Sequence, residues 1–187
     1  VGYQQIQGDQ YAALYSEILT VELENDFLPF LYPNQYVNFS PDSEASKLAL
    51  SMVSEDTTDV DALKQIYNYV VNNLTYDYDK AETVETGYLP DVDETLSTKT
   101  GICFDYAALT TAMLRSCDIP CKLQIGYTGD IKHAWIDVYI RSKGWVTGAV
   151  SFNGDSWSLM DPTFDSSADS DDTEAIQDYI GNADNYT

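Results

Sequence analysis

Basic side chains are scarce in this chain of 187 residues: nine Lys and Arg stand against 31 Asp and Glu, which gives a formal net charge of -22. A field of that sign repels nucleic-acid phosphates and anionic lipid headgroups, so we exclude both as partners. Long apolar runs are lacking too, and without a stretch of 18 apolar residues no segment is expected to insert into a membrane. We therefore expect a protein or peptide substrate that is basic or neutral.

An initiator methionine and a secretory signal are both missing from the sequence, which begins at Val1. We expect a trimmed or processed product, and the acidic composition is typical of an extracellular or cell-surface protein. The length and the 44% of hydrophobic residues suit one domain with a buried core. Within this single domain, 1–187, we predict a helical lead-in over about 1–76 and a catalytic core over about 96–164. An acidic loop and a C-terminal helix are predicted to follow over 165–187.

Only three cysteines are present. Cys117 and Cys121 flank a short turn that could bring their Cα atoms within disulfide distance and leave Cys103 as the one free thiol. The alternative, which we favour, is that both are buried thiols that pack as small apolar groups. A zinc site made of the three cysteines and His133 is disfavoured, because the helix between Cys103 and Cys117 would separate them by roughly 20 Å, more than one ion can bridge. We expect no metal and no cofactor.

Apolar residues that recur with helical spacing predict helices in the first two-thirds of the chain. The predicted helices cover 9–27, 41–52, a segment that Asp59 or Asp61 caps and that ends near Leu74, and 102–115. The connection 27–39 is predicted as extended chain, and the polar stretch 77–100 as a loop with a short helical turn. The helix 102–115 is strongly apolar and carries three alanines, so we expect it to be central.

Alternating apolar residues and turn signals predict four strands after this helix, at 121–127, 134–140, 144–152 and 156–160. The Gly and Asp residues between them favour an antiparallel meander. Helices followed by such a sheet indicate an α+β fold, in which N-terminal helices precede a central helix packed on the sheet. The Ser- and Asp-rich run 165–173 lacks the spacing of an EF-hand loop, and 174–180 is predicted to form a short helix.

The sequence has a single histidine, His133, which lies between Cys103 and Asp161 in chain order. A thiol, an imidazole and a carboxylate are the nucleophile, the base and the group that orients the base in cysteine-dependent acyl transfer. Cys103 would begin a helix just after Gly101, where free N–H groups and the helix dipole lower the pKa of a thiol. Asp161 would end a strand beside that of His133 and stabilise the charged imidazole. We therefore predict that these three residues form a catalytic triad.

Four segments carry a resemblance to a known family: TGICFDYA, LRSCDIPCKLQIGY, HAWIDV and WSLMDPTF, in this order between about Leu96 and Phe164. Together they resemble the transglutaminase-like superfamily, and in particular its compact bacterial members, many of which are described as proposed cysteine proteases. The resemblance implies a papain-like α+β core without cofactor or metal. In that core Cys103 is the nucleophile, His133 the general base and acid, and Asp161 the orienting carboxylate.

The resemblance further implies acyl transfer through a thioester on the cysteine. Resolution by water would make the protein a cysteine peptidase or amidase, which we favour, and resolution by an amine would make it a protein-cross-linking transglutaminase. A catalytically idle cell-surface binding module is the alternative from a different class. The family takes its second oxyanion donor from a variable side chain before the cysteine, and here Tyr88 is the candidate, ahead of Tyr67 and Asn72.

Overall fold

The computed structural model describes residues 2–7, 10–128, 131–152 and 157–159. Asp161, the acidic run 165–173 and the predicted helix 174–180 lie outside the described residues. In the part of the chain that is described, no helix is both long and apolar enough to cross a membrane.

Helices and strands form the α+β arrangement that the sequence predicts. The helices are a short 3-10 helix at Leu28–Phe30, α1 at Glu44–Met52, α2 at Asp59–Asn73, α3 at Tyr78–Thr83, α4 at Val92–Thr98 and α5 at Cys103–Ser116. The strands are β1 at Gly2–Gln7, β2 at Gln10–Tyr15, β3 at Thr75–Tyr76, β4 at Thr100–Gly101, β5 at Cys121–Thr128, β6 at Ile131–Ile140, β7 at Gly144–Phe152 and β8 at Trp157–Leu159. The pair β1–β2 is antiparallel, β3–β4 is parallel, and the main sheet has the order β5-β6-β7-β8 with antiparallel neighbours.

Helix α5 is the centre of the fold, as predicted. Its residues from Asp105 to Arg115 are all buried, which is typical of a helix that is enclosed on every side. It contacts α1, α2 and α4 as well as β5 and β6, and Ala107, Ala108 and Ala112 allow close approach of these neighbours because their side chains are small. The position of α5 therefore fixes the positions of the residues at its two ends, Cys103 and Cys117.

The main sheet packs one face of β6 against this core. Ala134, Ile136, Val138 and Ile140 alternate along β6 and are almost fully buried. The four predicted strands are confirmed, and β5 and β6 pair in register from Cys121 opposite Val138 to Thr128 opposite Ile131. The alternation of apolar residues in the sequence therefore predicted both the strands and the face of β6 that is buried.

The predicted helix 9–27 is wrong. The structure has the β1–β2 pair at this end of the chain, and residues 16–23 form neither helix nor strand. The apolar side chains that suggested the helix are solvent-exposed, at 66% for Leu14, 96% for Ile18 and 72% for Val21. Helical spacing stabilises a helix in a protein mainly when the apolar face is buried, and this face contacts no core.

Two further expectations need correction. The stripe of α2 is confirmed, but its N-cap is Thr58, whose hydroxyl accepts a hydrogen bond from the Asp61 N–H at 3.1 Å. The stretch 77–100 is not mainly loop, because it contains α3, α4 and β4. Each of its helices begins after an aspartate whose side chain accepts hydrogen bonds from backbone N–H groups of the first turn. These residues are Asp77 before α3 and Asp91 before α4. Helices of six and seven residues are too short for an apolar period to reveal them.

Candidate active site

Two short parallel strands hold the entrance of α5. Strands β3 and β4 pair Tyr76 with Gly101, and the Asp77 N–H donates to the Gly101 carbonyl at 2.9 Å. Ile102 follows in extended conformation as the N-cap, and Cys103 is the first residue of α5. The thiol therefore lies at the N-terminus of the central helix, as predicted.

Gly101 is required for space. A Cβ atom at this position would lie 2.6 Å from the Cβ of Asp105, far closer than real side chains approach. Asp105 is fully buried, and its Oδ2 accepts a hydrogen bond from the Ile102 N–H at 2.8 Å. The glycine and the buried aspartate thus belong to one tight turn into α5, in which a side chain at position 101 would collide with Asp105.

The carboxylate of Asp105 also binds two side chains from the segment before α5. Its Oδ2 accepts from Lys80 Nζ at 2.8 Å, and its Oδ1 accepts from the Tyr88 hydroxyl at 2.5 Å. The Tyr88 oxygen in turn accepts from Lys80 Nζ at 2.6 Å. Partial burial would lower the pKa of Lys80, but its hydrogen bonds with Asp105 and Tyr88 hold that pKa above its usual value. A partly buried ion pair therefore ties the segment 80–88 to the first turn of α5.

Cys103 and His133 line the same cavity, which has a volume of about 310 Å³. Its walls include Tyr76, Tyr88 and the loop before Tyr88. His133 comes from β6, where it pairs with Gly126 of β5. The fold thus brings a thiol and an imidazole that are 30 residues apart in the sequence into one pocket.

The imidazole of His133 is buried and incompletely bonded. Its exposed fraction is 8%, and its Nε2 atom has no hydrogen-bond partner within the described residues. Burial lowers the pKa of His133. The Trp135 ring lies nearly parallel to the imidazole, with ring centroids 6.4 Å apart, and is absent from the walls of the cavity. A buried polar atom without a partner is costly, so this nitrogen calls for a hydrogen-bond partner.

The carboxylate predicted to orient this imidazole, Asp161, lies outside the described residues. Strand β7 separates β6 from β8, and Leu159 of β8 is in register through Val150 with Ile136 of β6. The strand that precedes Asp161 is therefore not the neighbour of the histidine strand, contrary to the expectation from the sequence. The buried carboxylate of Asp137 is no substitute, because four residues along a strand separate it from His133 by about 13 Å, and it accepts from Gln124 Nε2 at 2.8 Å.

The environment of Cys103 contains two opposing effects on the thiol. Burial raises the pKa of Cys103, whereas hydrogen bonds from the backbone N–H groups of Ala134, Phe104 and Cys103 itself lower it. The net direction is upward, so the pKa below the usual value that we expected from the helix terminus is wrong for the described residues. Desolvation outweighs the backbone donors because the side chain is half-buried.

The other two cysteines are also free thiols, as we favoured. Cys121 is buried as expected, whereas Cys117 is only half-buried. Burial raises the pKa of Cys117 to about 11 and that of Cys121 to about 12. The Cys121 thiol donates to the Thr111 hydroxyl at 3.5 Å. Among the described residues no group of three or more His, Cys, Asp or Glu side chains is arranged to hold a metal ion.

The candidates for a second oxyanion donor do not fit the geometry. Tyr88 does line the cavity, but its single O–H is directed at Asp105. Burial, followed by the hydrogen bond to Asp105, raises the pKa of Tyr88 to about 12. Tyr67 packs against the hydrophobic core, Asn72 is exposed, and neither is among the residues that form the cavity walls.

Sequence reasoning missed Tyr76, whose hydroxyl is hydrogen-bonded to both the backbone N–H and the thiol of Cys103. The contact depends on the β3–β4 pairing, which joins residues 25 positions apart through strands of only two residues. No short-range pattern signals such a pairing.

Comparison with known proteins places these observations in a family. Residues 46–162 match the profile of the Transglutaminase-like superfamily. The chain is similar to UPF0252 protein MJ1282 of Methanocaldococcus jannaschii, with 40% identity over 62 residues that cover 30% of this chain and 18% of that protein. It is also similar to protein YebA of Bacillus subtilis, with 26% identity over 154 residues that cover 70% of this chain and 21% of YebA.

A solved structure from Cytophaga hutchinsonii, described as a proposed cysteine protease, matches with 25% identity and a TM-score of 0.53. The match covers 67% of this chain and 42% of that one. The chain spans about a fifth of the length of the two curated relatives, at 18% and 21%.

Proposed function

We propose that this chain, which belongs to the transglutaminase-like superfamily, is a thiol-dependent enzyme. It would transfer acyl groups through a thioester on Cys103. The observation that carries this proposal is the shared cavity of Cys103 and His133. Three backbone N–H groups lie at the sulfur, so a thiolate formed there would be stabilised where substrate can reach it.

In the proposed reaction His133 removes the proton of the Cys103 thiol as the sulfur adds to an amide carbonyl carbon. The tetrahedral intermediate collapses when the imidazolium gives this proton to the leaving amine, and the acyl group stays on the sulfur. Burial disfavours both the free thiolate and the free imidazolium, so the ionic state depends on their mutual attraction. We assign to Asp161 the acceptor that His133 Nε2 lacks among the described residues, which would orient the ring and stabilise its positive charge.

Water is the acceptor that we favour for the thioester, which makes the protein a cysteine peptidase or amidase. The likeness to the C. hutchinsonii structure supports this choice. The charge of -22 and the presence of Glu85 at the cavity support a basic or neutral peptide as substrate. Cross-linking is the second candidate, because an amine would resolve the same thioester.

A partition experiment distinguishes the two acceptors. The protein is acylated with p-nitrophenyl acetate in the presence of a labelled primary amine, and the label in the acyl product is counted. Hydrolysis predicts that almost all product is free acid. The uncatalysed reaction of the amine with the ester is measured with Cys103→Ala and subtracted. Cys103-dependent amide product that rises in proportion to amine concentration would instead assign cross-linking.

The binding-module alternative predicts an inert Cys103. The test is the burst of p-nitrophenolate from p-nitrophenyl acetate, with Cys117→Ala as the matched control. A burst that survives in Cys117→Ala and vanishes in Cys103→Ala supports the enzyme. A parent protein without any burst would leave the binding module as the better account.

A further inference from the structure

The hydroxyl of Tyr76 occupies the position from which a carbonyl oxygen could be bound during attack by Cys103. Tyr76 lines the same cavity as Cys103 and His133. Its backbone is fixed by the β3–β4 pairing, in which the flanking Thr75 N–H donates to the Lys99 carbonyl at 2.8 Å. Its ring packs edge-on against Tyr78, with ring centroids 4.9 Å apart. The phenol is therefore held in place by the backbone and by its neighbours.

Two contacts connect this hydroxyl to the reacting residue. The Tyr76 oxygen accepts a hydrogen bond from the backbone N–H of Cys103, and the hydroxyl is also hydrogen-bonded to the Cys103 thiol. The backbone N–H of a nucleophile is a common oxyanion donor, and a second donor beside it makes a pair. Here the neighbouring donor is a phenol, which can turn its proton.

We propose that the Tyr76 hydroxyl and the backbone N–H of Cys103 together bind the carbonyl oxygen as it becomes an oxyanion, an inference that rests on the proposed acyl transfer. As the sulfur forms its bond to the carbonyl carbon, the carbonyl π electrons move to oxygen and the sulfur loses its negative charge. The phenol proton, which faces the thiol in the resting site, then turns to the oxyanion. The Cys103 N–H, which donates to the Tyr76 oxygen in the resting site, exchanges that acceptor for the oxyanion. When the intermediate collapses the electrons return and the leaving group departs, so Tyr76 keeps its proton throughout.

The protonation state of Tyr76 fits this role. Burial, with the nearby Cys103 as a further cause, raises the pKa of Tyr76. The phenol is thus protonated, and able to donate, across the pH range in which a thiol reacts. Tyr88, the other tyrosine at the cavity wall, lacks a free proton because its O–H is bound to Asp105. The two tyrosines are therefore not equivalent.

The test compares two reactions of the same thiol. Acylation by p-nitrophenyl acetate passes through an oxyanion, whereas alkylation by iodoacetamide displaces iodide and forms none. Tyr76→Phe is expected to slow acylation by about 10²–10³-fold. Alkylation of Cys103 is expected to slow by no more than a few-fold, because the thiolate loses one hydrogen bond while the backbone donors at the sulfur remain. Tyr78→Phe is the matched control, because it removes an exposed hydroxyl two residues away that is not at the cavity. Thermal unfolding of each variant checks that the fold is kept.

The other outcomes overturn the inference and separate it from the proposed function. If acylation and alkylation fall together in Tyr76→Phe, the hydroxyl acts on the thiolate and not on the oxyanion. If Tyr76→Phe acylates like the parent, the inference fails while acyl transfer by Cys103 stands. A parent protein that shows no Cys103-dependent burst would instead overturn the proposed function and this inference with it.

Discussion

The two ends of α5 each carry a cysteine, and their surroundings differ. At the N-terminal end, backbone N–H groups lie at the Cys103 sulfur and lower its pKa against the effect of burial. At the C-terminal end Cys117 is the C-cap residue, and burial alone raises its pKa to about 11. A helix offers free N–H groups at its start and free carbonyls at its end, so only the first suits a thiolate. Two residues of the same type thus have different donors around their sulfur atoms because they lie at opposite ends of one helix.

The cations at the two ends differ in the same way. Lys80 binds Asp105 and Tyr88 beside the cavity. Arg115, which is buried near the other end, donates to the backbone carbonyls of Tyr32 and Cys121. The first contact fixes a wall of the proposed site, whereas the second fixes two chain connections away from it.

Removing the thiol at either end should give the largest contrast. Cys103→Ala is expected to lower the acylation rate by about 10⁴–10⁶-fold, because the nucleophile next to His133 is removed. Cys117→Ala should acylate like the parent. Burst kinetics with p-nitrophenyl acetate measure both variants. A Cys103→Ala protein that still gave a burst would contradict the assignment of the nucleophile.

Neutralising the proposed orienting group should be the next largest effect. Asp161→Asn is expected to lower the acylation rate by about 10⁴-fold, because an amide cannot stabilise the imidazolium or hold its tautomer. Asp137→Asn is the matched control on β6, and it should change the rate little. An Asp161→Asn variant with parental kinetics would remove Asp161 from the site and leave His133 Nε2 to another acceptor.

Removing the cation at either end of α5 should lower the stability of the protein. Only removal at the N-terminal end should also lower activity. Lys80→Met leaves the buried Asp105 without its counter-ion and should lower the free energy of unfolding by about 2–4 kcal/mol. Arg115→Met should lower it by about 1–3 kcal/mol, because buried carbonyls lose their donors. Urea unfolding measures both values.

Only Lys80→Met should also slow acylation of Cys103, by a few-fold, because Tyr88 and the cavity wall lose a contact. Equal acylation rates in Lys80→Met and Arg115→Met would show that the network of Lys80, Tyr88 and Asp105 serves the fold alone.

The sequence predicted the elements that carry a continuous signal. Helix α5 was predictable because it is apolar all round, and the sheet because its strands alternate and end in turn residues. The placement of Cys103 at a helix start followed directly from α5. What could not be predicted depends on contacts between distant residues: the two-residue strands β3 and β4, and the buried Asp105 that joins Lys80 to Tyr88.

The wrong predictions share a physical cause. The spacing of Leu14, Ile18 and Val21 predicted a helix. A helix in a protein is stabilised mainly by burial of its apolar face, and these three side chains are mostly exposed. The lowered thiol pKa was predicted from the helix terminus alone, and burial of the cavity reversed it. In both cases a local rule pointed in one direction and the tertiary structure decided otherwise. The N-terminal segment lacks the tertiary contacts that a helix needs, and the cavity buries the thiol.

The central claim is that Cys103 and His133 form a reactive pair at the N-terminal end of α5. Its most direct test is alkylation by iodoacetamide from pH 5 to 9, with each cysteine resolved by peptide mass, in the parent and in His133→Ala. The account predicts that Cys103 reacts far ahead of Cys117 and Cys121 below pH 8, and that His133→Ala removes this advantage because the thiolate loses its imidazolium partner. Cys103 reacting as slowly as Cys117 and Cys121 in the parent would contradict the account.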